Sequence, residues 1–200
     1  MKKAALGFRV HSGWTALVAV SLEDGSPRVL LRDRPHLVET FTFEFRQPYH
    51  TAEKRPAPEA AAFVARMRGE ARRLAIRVVH SAQKDLETQG YRVTRCALLQ
   101  ASGRPLPELP LILASHALIH TADGELFREA VAEAASQCGI GMFTTKESKL
   151  LEEAATALHT TPEKLSRGLT ALGRPHGAPW SQEEKLSALA AWLALVEAGV

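Results

Sequence analysis

The fold is decided by Ala4-Ala5-Leu6-Gly7-Phe8-Arg9-Val10-His11-Ser12-Gly13-Trp14-Thr15-Ala16-Leu17-Val18-Ala19-Val20. Two apolar, β-prone runs flank a tight polar turn, which is the pattern of an antiparallel hairpin. A third strand-like run at 28–34 follows the turn Glu23-Asp24-Gly25-Ser26-Pro27. Strands are therefore expected at 6–10, 14–22 and 28–34. A hairpin of this kind commonly carries a ligand or metal near the end of its first strand. Here that position holds Arg9, with His11 and Ser12 beside it.

Residues 35–56 are ambiguous. Phe41-Thr42-Phe43-Glu44-Phe45 alternates as a strand does, yet Pro35, Pro48 and Pro56 and the polar run 46–55 mark an excursion. Connections of that length are usually functional or mobile. From 58 to 88, Phe63, Val64, Met67, Ala71, Leu74, Ala75, Val78, Val79, Ala82 and Leu86 recur at spacings of three and four, predicting one long helix. A strand at 91–99 follows, then a helix at 109–119. A second helix is expected at 124–138 with Asp123 as its N-cap, and a short strand at 139–144. Helices are predicted at 146–158 and 162–171, the latter with Thr161 as cap and Pro162 at its first position. Ser181-Gln182-Glu183-Glu184 is a capping box opening a final apolar helix to about 198. The order β-β-β-α-β-α-α-β-α-α-α implies an α/β fold: three antiparallel strands, then parallel strands, in a five-stranded mixed sheet flanked by helices.

Two hundred residues are enough for one domain with a substantial core, and 46% hydrophobic with 24% charged residues is ordinary for a globular chain. No apolar run approaches the roughly 20 residues that cross a bilayer. Arg9 interrupts the opening apolar run too early for a secretory signal, so a cytoplasmic protein without membrane contact is expected. Cys96 and Cys138 lie in apolar contexts and read as free buried thiols. The chain contains no CxxC, no GxxxxGK[ST] and no GxGxxG. Residues 1–100 hold 17 basic and 10 acidic residues, and residues 101–200 hold 8 and 12. Such a split marks either a basic face for a polyanion or two halves that neutralise each other.

This order of elements, with 6–13 at its head, 97–103 in its middle and 181–195 at its tail, resembles the ribonuclease H-like superfamily, and within it the bacterial Holliday-junction resolvase group. The resemblance implies a single domain over 1–200, with an insertion at about 35–56 and an extra helical segment at about 161–180. In such nucleases carboxylates on the first strand, at the end of the fourth strand and at the final helix bridge two divalent cations. Carried onto this chain, those positions fall at Arg9 (or His11, if the register slips), at Gln100, and at Glu183 and Glu184. A guanidinium repels a metal and an amide is a weak ligand, so the resemblance implies a degenerate acidic site. No metal ligand set and no cofactor is assigned. The superfamily also resembles actin-like ATPase domains, whose first hairpin wraps phosphate; Val10-His11-Ser12-Gly13-Trp14 is the matching turn, and a plain β-turn with Trp14 in the core is the simpler reading.

Other candidates are weaker. His116 and His120 would share a helical face, and with Glu125 they have the outline of a metal site or of a base with its carboxylate. The glutamate that HExxH needs after His116 is missing, and Leu118-Ile119 between them indicates a buried structural pair. Arg66, Arg72, Arg73 and Arg77 form a candidate nucleic-acid face, although i,i+4 pairing such as Glu70 with Arg66 explains much of the charge. The sequence assigns no reaction. The leading expectation is a binding or regulatory module with DNA or RNA as its partner, using Arg9, His11, Ser12, Gln100, His116, His120 and Glu184. The alternatives are an enzyme acting on a phosphate ester or nucleotide at the first hairpin, and a structural protein that pairs with a second copy through the C-terminal helix and Trp192.

Overall fold

The computed structural model describes residues 1–101 and 105–199. The three opening runs form β1 (Lys2–His11), β2 (Trp14–Glu23) and β3 (Ser26–Asp33). The other elements are α1 (Phe43–Arg46), α2 (Pro48–Ala52), α3 (Ala57–Thr88), β4 (Tyr91–Gln100), α4 (Leu109–Leu113), α5 (His116–Gln137), β5 (Gly141–Lys146), α6 (Glu147–Ala157), α7 (Pro162–Leu172) and α8 (Gln182–Glu197). The strand order is β3-β2-β1-β4-β5, antiparallel through the first three strands and parallel from β1 to β4 to β5. The mixed sheet expected from the sequence is the one observed.

Residue parity along the strands assigns the two faces, because successive side chains in a strand point opposite ways. Leu6, Phe8, Val10, Leu17, Ala19, Cys96 and Leu98 enter the core beneath α3 and α5. Ala5, Val18, Val20, Ala97 and Leu99 enter a second core beneath α6, α7 and α8. The helix α8 reaches the sheet unusually closely. A Cβ on Gly7 would lie 1.9 Å from the Ser187 carbonyl oxygen, and Ser187 Oγ donates to the Ala16 carbonyl at 3.0 Å. Ser187, Ala188, Ala190, Ala191 and Ala194 keep the contacting stretch thin, and the capping box at Ser181 and Glu184 starts the helix as the sequence indicates. Most apolar residues of α8 are thereby buried inside the chain.

Several expectations are corrected. The ambiguity at 41–45 resolves away from a strand: Phe43–Arg46 is a helical turn, followed by α2 with Pro48 at its first turn. The 35–56 segment is no free excursion, since Leu37, Val38, Tyr49 and Ala52 are buried in the α3–α5 core. It is tied to the hairpin by Leu37 N–H to the Gly13 carbonyl (2.8 Å) and Thr15 N–H to the Pro35 carbonyl (3.1 Å). The helix break lies at Ser115 rather than at 120–123, and Asp123 sits inside α5 instead of capping it. Its carboxylate finds donors from another element, which removes any need for a cap there. Glu70 accepts the Glu39 N–H at 2.8 Å instead of pairing with Arg66. Trp14 is only half-buried, stacked on His11 with ring centroids 4.5 Å apart. Cys96 is buried and Cys138 half-buried, both free, and burial pushes the Cys96 thiol up to about 12. Among the described residues no helix is long and apolar enough to cross a membrane.

Gly7 is expected to tolerate no side chain. Gly7→Val should cost roughly 3 kcal/mol or more in urea unfolding, because neither the helix backbone nor the strand can yield. Gly69→Ala, where an added Cβ meets nothing within 4 Å, should instead stabilise by about 0.5–1 kcal/mol.

Candidate functional site

The parallel strands β1, β4 and β5 end at the same sheet edge, the position where open α/β sheets hold their ligands. Arg9 stands on β1 two residues beyond Gly7 and therefore on the same face. Glu183 stands on α8 one turn before Ser187. The Gly7–Ser187 contact consequently brings Arg9 and Glu183 together. At the neighbouring strand ends, Gln100 pairs with Lys146 in register, and Glu147 opens α6 directly after it.

Arg9 is held on two sides. Its Nε donates to Glu147 Oε2 and its Nη2 to Glu147 Oε1, both at 2.8 Å, the fork-to-fork geometry of a strong guanidinium–carboxylate pair. Its Nη1 is ion-paired with Glu183 Oε2. His11 Nε2 lies 2.5 Å from the same Glu183 oxygen and 2.8 Å from Arg9 Nη1, so Nε2–H donates to the carboxylate. The bond to Glu147, opposed by desolvation and then reinforced by Glu183, raises the Arg9 pKa further. For Glu183, desolvation pushes the pKa up, but Arg9 and His11 together hold it below the ordinary carboxylate range. The result is a knot of one guanidinium, two carboxylates and an imidazole. Beside it runs an open groove of about 580 Å³, with Gln100, Glu147, Ser148, Ser166, Gln182 and Lys185 as its polar lining.

Of the residues nominated from sequence, Arg9 and His11 meet in this knot, and Gln100 lines the groove with Glu147. Glu184 turns away: its carboxylate accepts from Arg34 Nε at 2.5 Å and from Ser181 N–H at 2.9 Å. Desolvation opposes its ionisation, but Arg34 and Ser181 hold its pKa down to about 2. Ser12 contributes its carbonyl to Arg46 Nε (3.2 Å), and Arg46 and Val38 cover Gly13, whose φ of +82° only glycine adopts easily. The hairpin turn is thus roofed by the 35–56 segment. Arg72 pairs with Glu133 at 3.0 Å, Arg73 with Glu39 at 2.5 Å, and Arg66 lies over the Phe63 ring. Arg77 lines a shallow hollow that also contains Asp33 and Asp85.

His116 and His120 do not join Arg9, because α5 packs on the opposite face of the sheet from α8. They are exposed rather than buried, and His50 from α2 stands against both. Glu125 is committed to Arg128 at 2.9 Å. Asp123, 1% exposed, accepts Tyr49 N–H at 2.7 Å and His50 Nδ1–H at 2.5 Å; burial raises its pKa against the pull of these donors. Two participants escaped sequence reasoning. Glu147 had a faint signal as an acid directly after the last strand. His50 had none, since only packing brings α2 to α5.

Searched by shape, the chain superposes on the RuvC structure from Thermus thermophilus with a TM-score of 0.55 at 14% identity, covering 98% of this chain and 95% of that one. The T. thermophilus RuvC structure in complex with a Holliday junction substrate superposes at 0.56, with the same identity and coverage. The fold is ribonuclease H-like. No protein-family model matches the chain, and no curated protein matches it. Within this ribonuclease H-like frame, the knot lies at the common edge of the parallel strands, under the N-terminus of the last helix.

The acids of α8 make a definite pH prediction. Glu184 has an ordinary value of 4.5 when unfolded and about 2 when folded, so its contribution is complete above 4.5 and fades as pH falls toward 2. Glu183 is lowered in the same sense. The urea midpoint should fall across this window, and Glu184→Gln should flatten the fall while lowering the midpoint at neutral pH.

Proposed function

We propose that this chain is a ribonuclease H-like binding module for nucleic acid in which an internal ion-pair knot stands where related nucleases hold their cations, so that it recognises without cutting. The observation that carries the reading is the bidentate Arg9–Glu147 pair with Glu183 on the remaining side of the guanidinium. Two-metal hydrolysis needs several carboxylates facing a shared vacancy. Here both acids are already ion-paired to one fixed guanidinium, and Gln100 at the end of β4 adds no charge. The first-strand and fourth-strand positions of the resolvase pattern are thus an arginine and an amide. The acid on α8 that meets Arg9 is Glu183, with Glu184 serving the helix cap.

The fold shared with RuvC, which has been solved with a Holliday junction, motivates nucleic acid as the ligand class. Beside the Arg9-paired Glu147, the groove next to the knot offers amides, hydroxyls and Lys185, groups suited to phosphate and sugar contacts. The helix α3 is a secondary surface at best, because Arg72 and Arg73 are already paired and Arg68 lies 3.7 Å from Glu129. A regulatory role, for example occupying a junction without resolving it, follows from binding without hydrolysis.

Fluorescence anisotropy with labelled four-way junction, duplex and single-stranded DNA across a salt series tests the reading. Binding to at least one of these at low salt is expected. Lys185→Glu should weaken it and reduce the slope of log K against log salt by about 0.9, the share of one phosphate contact. Magnesium should produce no cleavage. Cleavage by the wild-type chain that disappears in Glu183→Gln would overturn the non-catalytic half of the proposal; absence of binding to all three probes would overturn the nucleic-acid half. Arg9→Asp frees Glu147 and Glu183, and it should acquire a magnesium-dependent rise in melting temperature that the wild type lacks.

A further inference from the structure

On the opposite face of the sheet from the Arg9 knot, three imidazoles converge from two helices. His116 and His120 lie one turn apart on α5, with His120 Nε2 and His116 Nε2 3.0 Å from each other. His50 of α2 completes the group, its ring centroid 4.4 Å from that of His120 and 5.5 Å from that of His116. One ring nitrogen from each of the three lies within 4.8 Å of the other two. The rings meet edge to face, at interplanar angles of 69°, 81° and 88°, instead of stacking. Three nitrogens around a tetrahedral zinc, each about 2.0–2.1 Å from it, stand roughly 3.3 Å apart, so small χ rotations would close the set on one ion.

The support behind His50 is an independent sign. Its Nδ1–H donates to Asp123 Oδ2 at 2.5 Å, and Asp123 Oδ1 accepts the Tyr49 N–H at 2.7 Å. The carboxylate is 1% exposed and anchored through both oxygens. A carboxylate behind one ring nitrogen fixes the tautomer and leaves Nε2 free to ligate, the usual support of a metal-bound histidine. Without a cation, donor nitrogens packed this closely repel wherever no proton lies between them.

We infer that His50, His116 and His120 form a binding site for one divalent transition ion of the zinc type, with water as the fourth ligand on the exposed side. Imidazole donors favour zinc, copper, nickel or cobalt over magnesium and calcium, which require oxygen ligands. The ion ties α2 to α5 and thereby fastens the 35–56 segment to the body of the domain. This inference is independent of the nucleic-acid reading, because the two sites lie on opposite faces of the sheet and share no residue.

The test uses the full chain without a polyhistidine tag, stripped of metal by a chelator and titrated with zinc and cobalt. One ion per chain is expected, with the intense visible absorption of tetrahedral cobalt and a melting temperature raised by zinc but not by magnesium. Asp123→Asn should weaken zinc binding by about 10–100-fold. His116→Ala and His120→Ala should each weaken it further. Both positions are exposed, so the chelated variants should melt as the chelated wild type does. Zinc affinity unchanged by either exposed variant would overturn the site, as would binding abolished by Cys138→Ser but not by the histidine variants, or no binding by the intact chain.

Discussion

The backbone of α8 lies directly against the backbone of β1, and much of the molecule is positioned by that contact. Gly7 has no side chain, and the Ser187 carbonyl fills the space where one would be. Only a glycine on the strand and a run of alanines and serine on the helix permit this approach. Because strands repeat every two residues and helices about every four, one close contact propagates to a second: Arg9 and Glu183 must then face each other. An elementary packing constraint therefore generates the electrostatic site.

That site answers a problem of like charges. Carboxylates crowded at a sheet edge repel and need a cation between them. In this chain a positive charge is covalently part of the first strand, and it pairs with both Glu147 and Glu183. A guanidinium has a fixed planar fork and cannot activate water as a metal ion does.

The second face of the sheet has a different logic. There the 35–56 segment folds back over the hairpin and packs Tyr49 and Ala52 between α3 and α5. It roofs the Gly13 turn, supplies the backbone donor that satisfies buried Asp123, and carries His50 to the α5 histidines. A stretch that looked like an appendage is thus structural at one end and chemical at the other.

The strands, the long α3, the caps at Thr161 and Ser181 and the sheet order were legible from sequence, because hydrophobic period, turn residues and capping side chains act over a few neighbours. The placement of Arg9 on the first strand and of Gln100 at the end of the fourth was legible too. Sequence reasoning misread Asp123 as a cap and left Phe41 to Phe45 ambiguous, since local pattern alone cannot reveal a partner on another element. It chose Glu184 as readily as Glu183, two adjacent acids with different fates: one closes the helix cap and pairs with Arg34, the other reaches Arg9. Glu147 and His50 entered their sites only through the meeting of distant segments. The amino-acid sequence by itself determined which elements form and which face of each is apolar, because those are short-range preferences. The tertiary structure decided which charges neutralise one another and which imidazoles converge, because those depend on ångström-scale distances set only when the helices close onto the sheet.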